Sequence, residues 1–241
     1  MLKARIKGPF FEVGVKNYIY GDAVLELAKA ADRASVKYDI DVIFLAPYVD
    51  IRRVAENTEK LLVFAPYMDT LRPGRGMADV LPEALRAAGA QGVVLNHCER
   101  PLTLPAIRET IYRARELDML SFACADTIEE TRAIAQFQPD IINPEPAGLI
   151  GQGNISSREY VEASIKAVRE VSPDILVEQA AGIHTGEQVY QMILLGADGV
   201  GAASGIINSE SPAAKVDEMI RGVRRAYDEM KKGRVNQYEG F

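Results

Sequence analysis

The chain has 241 residues, 48% of them hydrophobic, with 28 Lys and Arg against 34 Asp and Glu for a formal charge of −6. That is ordinary globular composition, enough to build the core of one large α/β domain or two small ones. It excludes a basic nucleic-acid surface, and the longest apolar stretch, VIFLAPYV (42–49), is too short to span a bilayer.

In chain order, the opening MLKARIKGPFFEVGVK scatters its charges and has no long apolar run, so no signal peptide is expected. Strands are predicted at FFEVGV (10–15), DVIFLA (41–46), LLVFA (61–65) and GVVLN (92–96), with a short helix over about 50–57. Thr103 is placed to cap a helix along which Leu104, Ile107, Ile111 and Ala114 step by three and four. MLSFACA (119–125) and DIINP (140–144) are the next strands, and Ser156 and Ser157 precede a helix marked by Val161, Ile165 and Val168. DILVEQA (174–180) and DGVGAA (198–203) complete the strands, with Gly196 just past a helix ending at 192–195. Val216, Ile220, Val223 and Tyr227 mark the last helix.

Near-continuous apolar runs, rather than alternating ones, predict parallel strands covered on both faces. Eight strand-then-helix units of about 30 residues, without a linker, predict one α/β domain over 1–241, a (β/α)8 barrel with its functional groups where strands end. The two cysteines, Cys98 and Cys124, cannot make a disulfide framework and fit a reducing, cytoplasmic compartment.

At those ends the sequence places Lys16, then Asn96-His97-Cys98-Glu99, then Glu145 between two prolines, followed by AGLIGQG (147–153). AAGIHTG (180–186) and GVGAASG (199–205) end the last two strands. A carboxylate can take a proton from the carbon beside a carbonyl, and a neutral imidazole can donate to that carbonyl as it becomes an enolate. A lysine can stabilise the oxyanion, and glycine-rich loops let backbone N–H groups approach a phosphate. The set describes proton transfer between adjacent carbons of a phosphorylated sugar. Small residues in 147–153 suit a loop that closes over the site.

These motifs resemble the triosephosphate isomerase family over nearly the whole chain. NHCER (96–100) is similar to its histidine motif, PEPAGLIGQG (144–153) to its catalytic glutamate and mobile loop, GVKNY (14–18) to its lysine motif, and GVGAASG (199–205) to its phosphate turn. The compact length, with RRVAENTEKLLVFAP (52–66), VLPEALRAAGA (80–90) and AGIHTGEQV (181–189), resembles the shorter archaeal-type branch. The resemblance implies a base at Glu145, an electrophile at His97 and an electrostatic anchor at Lys16, supported by Asn96, Cys98 and Glu99, the last orienting Lys16 or the loop. It implies phosphate contacts at Gly151, Gly182, Gly201 and Ala202. His184 is either a further phosphate contact or a core histidine. It also implies no cofactor, no metal, and a homodimer or homotetramer.

The chain departs from the family at several points. Gly14 stands where the family has an asparagine, Cys98 for a serine, Gln152 for a threonine and His184 for a serine. Tyr48 and Tyr67 replace smaller or amide residues, and RPGRGMAD (72–79) lacks the family's subunit-crossing sequence. An isomerase of another sugar phosphate, such as a tetrulose phosphate, therefore stands as an alternative, as does a retired sugar-phosphate-binding barrel. A Schiff-base role for Lys16 is less consistent with its carboxylate neighbour. A Rossmann reading of GVGAASG fails on glycine spacing, and two histidines on distant loops make no metal cluster.

Overall fold

The computed structural model describes residues 6–149 and 155–238. Eight strands, β1 (Phe10–Gly14), β2 (Asp41–Leu45), β3 (Leu62–Ala65), β4 (Gly92–Leu95), β5 (Leu120–Ala125), β6 (Ile141–Pro144), β7 (Leu176–Gln179) and β8 (Gly199–Ala202), pair in sequence order. All pairs are parallel, and β1 closes on β8 with Phe10 opposite Gly199 and Glu12 opposite Gly201. The fold is a closed (β/α)8 barrel.

The helices outside it are α1 (Asp22–Tyr38), α2 (Ile51–Glu56), α3 (Pro82–Ala87), α4 (Leu104–Glu116), α5 (Ile128–Ala135), α6 (Arg158–Arg169), α7 (Gly186–Leu194), α8 (Ser204–Ile207) and α9 (Pro212–Tyr238). Among the described residues no helix is long and apolar enough to cross a membrane.

Local chemistry sets the boundaries. Thr185 caps α7 through a full capping box with Gln188, and Ser157 caps α6 through Tyr160 N–H. Gly196, at φ +105°, follows the end of α7 as expected. Thr103 sits at the N-cap of α4, but its side chain makes no capping bond. Pro105 removes one of the two N–H groups that a capping oxygen would accept from.

Side chains on each strand alternate between two cores. Phe11, Val13, Val42, Phe44 and Val63 face the helices, whereas Phe10, Ile43, Phe64, Val94, Leu120, Phe122, Cys124 and Ile141 pack inside the barrel. Two rings fill its lower end because their neighbours are glycines: a Cβ on Gly199 would collide with the Phe10 ring, and one on Gly92 with the Phe64 ring.

The N-terminal face is stitched at alternate strand pairs. Side chains of Asp41, Gln91, Asp140 and Asp198 accept from the N–H groups of Lys7, Val63, Ser121 and Val177 at 2.7, 3.2, 2.8 and 2.8 Å. The opposite face is left to the loops, as this architecture requires.

Candidate active site

The strands deliver their polar residues to one mouth by turning sharply at its edge. β1 ends at Gly14, and Lys16 takes a left-handed φ of 44°. β4 ends at Leu95, and Asn96 does the same at 57°. Asparagine tolerates that region, and the Asn96 side chain fixes it twice, donating to Cys124 O at 3.0 Å and accepting from Leu102 N–H at 2.8 Å. Lysine there is strained backbone of the kind found at functional sites.

His97 follows Asn96. The Glu99 N–H donates to its Nδ1 at 3.2 Å, which leaves the proton of the neutral ring on Nε2. Nε2 lies 3.8 Å from Glu145 Oε2, the carboxylate at the end of β6. Burial, then the Lys16 charge, holds the His97 pKa below its ordinary value, so the ring is neutral at pH 7. Burial pushes Glu145 up to about 7, against the lowering pull of Lys16 and of an Asn143 hydrogen bond, with Glu99 and Asp126 adding to the rise.

Lys16 Nζ reaches Glu99 Oε1 at 3.3 Å, so Glu99 contacts both the lysine and, through its backbone, the histidine. Cys98 Sγ stands 3.9 Å from His97 Nδ1, and burial keeps its pKa above the ordinary thiol value. The Arg100 guanidinium goes elsewhere, lying 3.9 Å over the Tyr67 ring. Asp126 accepts from Ala147 N–H at 2.8 Å, which pins the start of the loop after β6.

The mouth opens into a cavity of about 400 Å³ lined by Lys16, His97, Glu99 and Glu145, with Tyr18, Tyr48 and Tyr67 at its rim. Gly182, at φ +70°, lines it together with Ile183, Ala202, Ala203 and Ser204. The other expected phosphate residues are placed differently. His184 lies outside the lining, with its ring beside Gly205, where a Cβ would meet Nδ1 at 2.8 Å. Gly201 lies one layer lower in β8, against the carboxyl groups of Glu12 and Glu178. Gly151 and Gln152 lie outside the described residues, as does the rest of 150–153.

Three cavity residues escaped the sequence reading: Glu12, Asn143 and Glu178. Their signal was an acid or amide inside a run otherwise apolar. Gly14, read as the loss of an asparagine side chain, is where the Glu12 carboxyl rises: a Cβ there would stand 2.9 Å from Oε1.

A base near neutral pKa facing a neutral N–H donor, with a cation beside them, is the equipment for enolisation next to a carbonyl. Comparison with known proteins agrees. A family model described as triosephosphate isomerase matches residues 13–221. The chain belongs to the triosephosphate isomerase family. It is 36% identical to the triosephosphate isomerase of Sulfurisphaera tokodaii over 230 residues, covering 94% of this chain and 100% of that one. It is 35% identical to that of Sulfolobus acidocaldarius over 227 residues (92% and 98%), and 33% identical to that of Methanocaldococcus jannaschii over 208 (85% and 94%). Like these archaeal relatives in sequence and a barrel in fold, this triosephosphate isomerase family member is an isomerase.

Proposed function

We propose that the chain interconverts glyceraldehyde 3-phosphate and dihydroxyacetone phosphate, a reaction of glycolysis, through an enediolate. Glu145 takes the proton from the carbon beside the carbonyl and returns it to the neighbouring carbon. His97 Nε2–H donates to the oxygen on which charge develops, and Lys16 stabilises that charge. Glu99 holds Lys16, Asn96 shapes the turn before the histidine, and Cys98 packs against its ring. The phosphate lies against the backbone of Gly182 and Ala202, with Gly151 as a further contact. Gly201 shapes the strand beneath, and His184 supports that corner from behind.

The observation that carries the reading is the facing of Glu145 and His97 Nε2 across 3.8 Å, with the Lys16 ammonium at the same mouth. The enzyme acts as a single barrel domain without cofactor or metal, in the cytoplasm, as a homodimer or homotetramer. Val49 and Met77, 86% and 94% exposed on the loops after β2 and β3, supply apolar surface for a subunit contact, which sedimentation of the purified protein tests.

The decisive assay is turnover of glyceraldehyde 3-phosphate. Glu145→Gln and His97→Gln are each expected to lower kcat by about 10²–10⁴, the usual worth of a positioned acid or base, with circular dichroism and Tm retained. Wild-type rates in both variants would sink the assignment.

A further inference from the structure

The floor of the cavity holds polar atoms to which triose isomerisation gives no role. Glu12, Asn143 and Glu178 are 6%, 4% and 0% exposed. Glu12 Oε1, Asn143 Oδ1 and both Glu178 oxygens have no protein partner, and all three residues line the cavity. Asn143 is two residues before Glu145, so it faces the lumen one layer down, about 7 Å deeper at about 3.3 Å per residue. Its Nδ2 lies 3.4 Å from Glu145 Oε2, joining the floor to the base.

Glycines make room for the acids. A Cβ on Gly201 would collide with Glu12 Oε2 and stand 2.9 Å from Glu178 Oε1, so the two carboxyl groups meet over one bare α-carbon between β1 and β7. Buried polar groups without partners are unfavourable, and their presence in a cavity wall calls for a hydroxylated occupant.

We propose that Glu12 and Asn143, with Glu178 behind them, form a second polar subsite below Glu145 that binds a hydroxyl of a longer sugar chain, so that the enzyme also isomerises a four-carbon sugar phosphate. The inference rests on Glu145 being the base. The chemistry is unchanged: one C–H bond breaks, Glu145 carries the proton to the adjacent carbon, the hydroxyl proton passes to the former carbonyl oxygen, and no net oxidation occurs. Glu12 touches the ligand, and Glu178 is a positioning residue. Burial, with repulsion from neighbouring carboxylates, raises Glu12 to about 8 and Glu178 well above its ordinary value. At neutral pH the pair therefore holds protons to donate, while Asn143 Oδ1 accepts.

The test compares kcat/KM for erythrose 4-phosphate and glyceraldehyde 3-phosphate in wild type, Glu12→Val/Glu178→Leu and Asn143→Ala. The double change removes both acids together and orphans neither; the amide variant serves if it fails to fold. Wild type is expected to turn over both sugars, and each variant to lower the four-carbon to three-carbon ratio about a hundredfold. Turnover of the triose alone, or a ratio that neither variant moves, overturns the subsite and leaves the floor to ordered water. Turnover of neither sugar overturns the isomerase reading as well.

Discussion

Burial moves His97 and Glu145 in opposite directions, because it penalises the charged form of each: the imidazole becomes harder to protonate and the carboxyl harder to ionise. A base whose pKa is about 7 is ionised in half the molecules at neutral pH, yet it is strong enough to take a carbon-bound proton. In the free enzyme kcat/KM is expected to rise tenfold per pH unit below about 7 and to level off above it. The Glu99 charge contributes to raising Glu145, so Glu99→Gln is expected to move that midpoint down. A pH–rate profile of both proteins decides it, and a wild-type midpoint near the ordinary carboxylate value of about 4.3 would count against Glu145 as base. Lys16, His97 and Glu145 were legible as candidates because polar residues interrupt the pattern where apolar strands stop. Glu12, Asn143 and Glu178 were not, since a strand buried on both faces gives no alternation to show which side chains point into the lumen.

At the scale of elements, every strand was legible within two residues at its start and within one at its end, where the error was always an overrun. Val15, Ala46, Asn96, Ala180 and Ala203 continue the strand-like sequence but lie past the last paired residue, because hydrophobicity reports burial and not the turn that φ makes at Lys16 and Asn96. Also invisible in sequence was the matching of large and small residues across the barrel. Gly92 has no left-handed φ to protect, and propensity alone makes alanine better than glycine in a strand by about 0.5–1 kcal/mol. The Phe64 ring occupies the space a Cβ needs, and all three nearest ring atoms would clash. Overpacking costs about 1–3 kcal/mol, so it outweighs propensity. Gly92→Ala is expected to lower stability by about that amount in urea melts, and Phe64→Leu in the same chain to restore part of it. Stabilisation by Gly92→Ala alone would show that the ring moves aside freely.

Over the whole molecule, the groups that make the site also set how stability depends on pH. Glu12, Glu145 and Glu178 all have raised pKa values in the fold, so between about 4.5 and 7 or above the native chain holds protons that the unfolded chain has released. Stability contributed in this way is complete below the unfolded pKa and is lost as pH rises through the folded one, at about 1.4 kcal/mol per group and pH unit. Asp217 and Glu218 act oppositely: burial raises them, but hydrogen bonds from Lys37 and Tyr38 to Asp217, and from Gly186 N–H and Lys215 to Glu218, outweigh it and lower both, so their contribution is lost as pH falls below about 4.5. His97, lowered by burial, adds stability as pH rises to about 6.5, but it is one group against three. Tm is therefore expected to peak near pH 5 and to fall toward pH 8. Glu12→Val/Glu178→Leu removes two of the three opposing groups without leaving a lone buried charge, so it is expected to flatten the alkaline limb and to raise Tm more at pH 8 than at pH 5. Calorimetry across that range measures both slopes, and an equal fall in the two proteins would mean that Glu12 and Glu178 ionise in the fold as freely as in the unfolded chain.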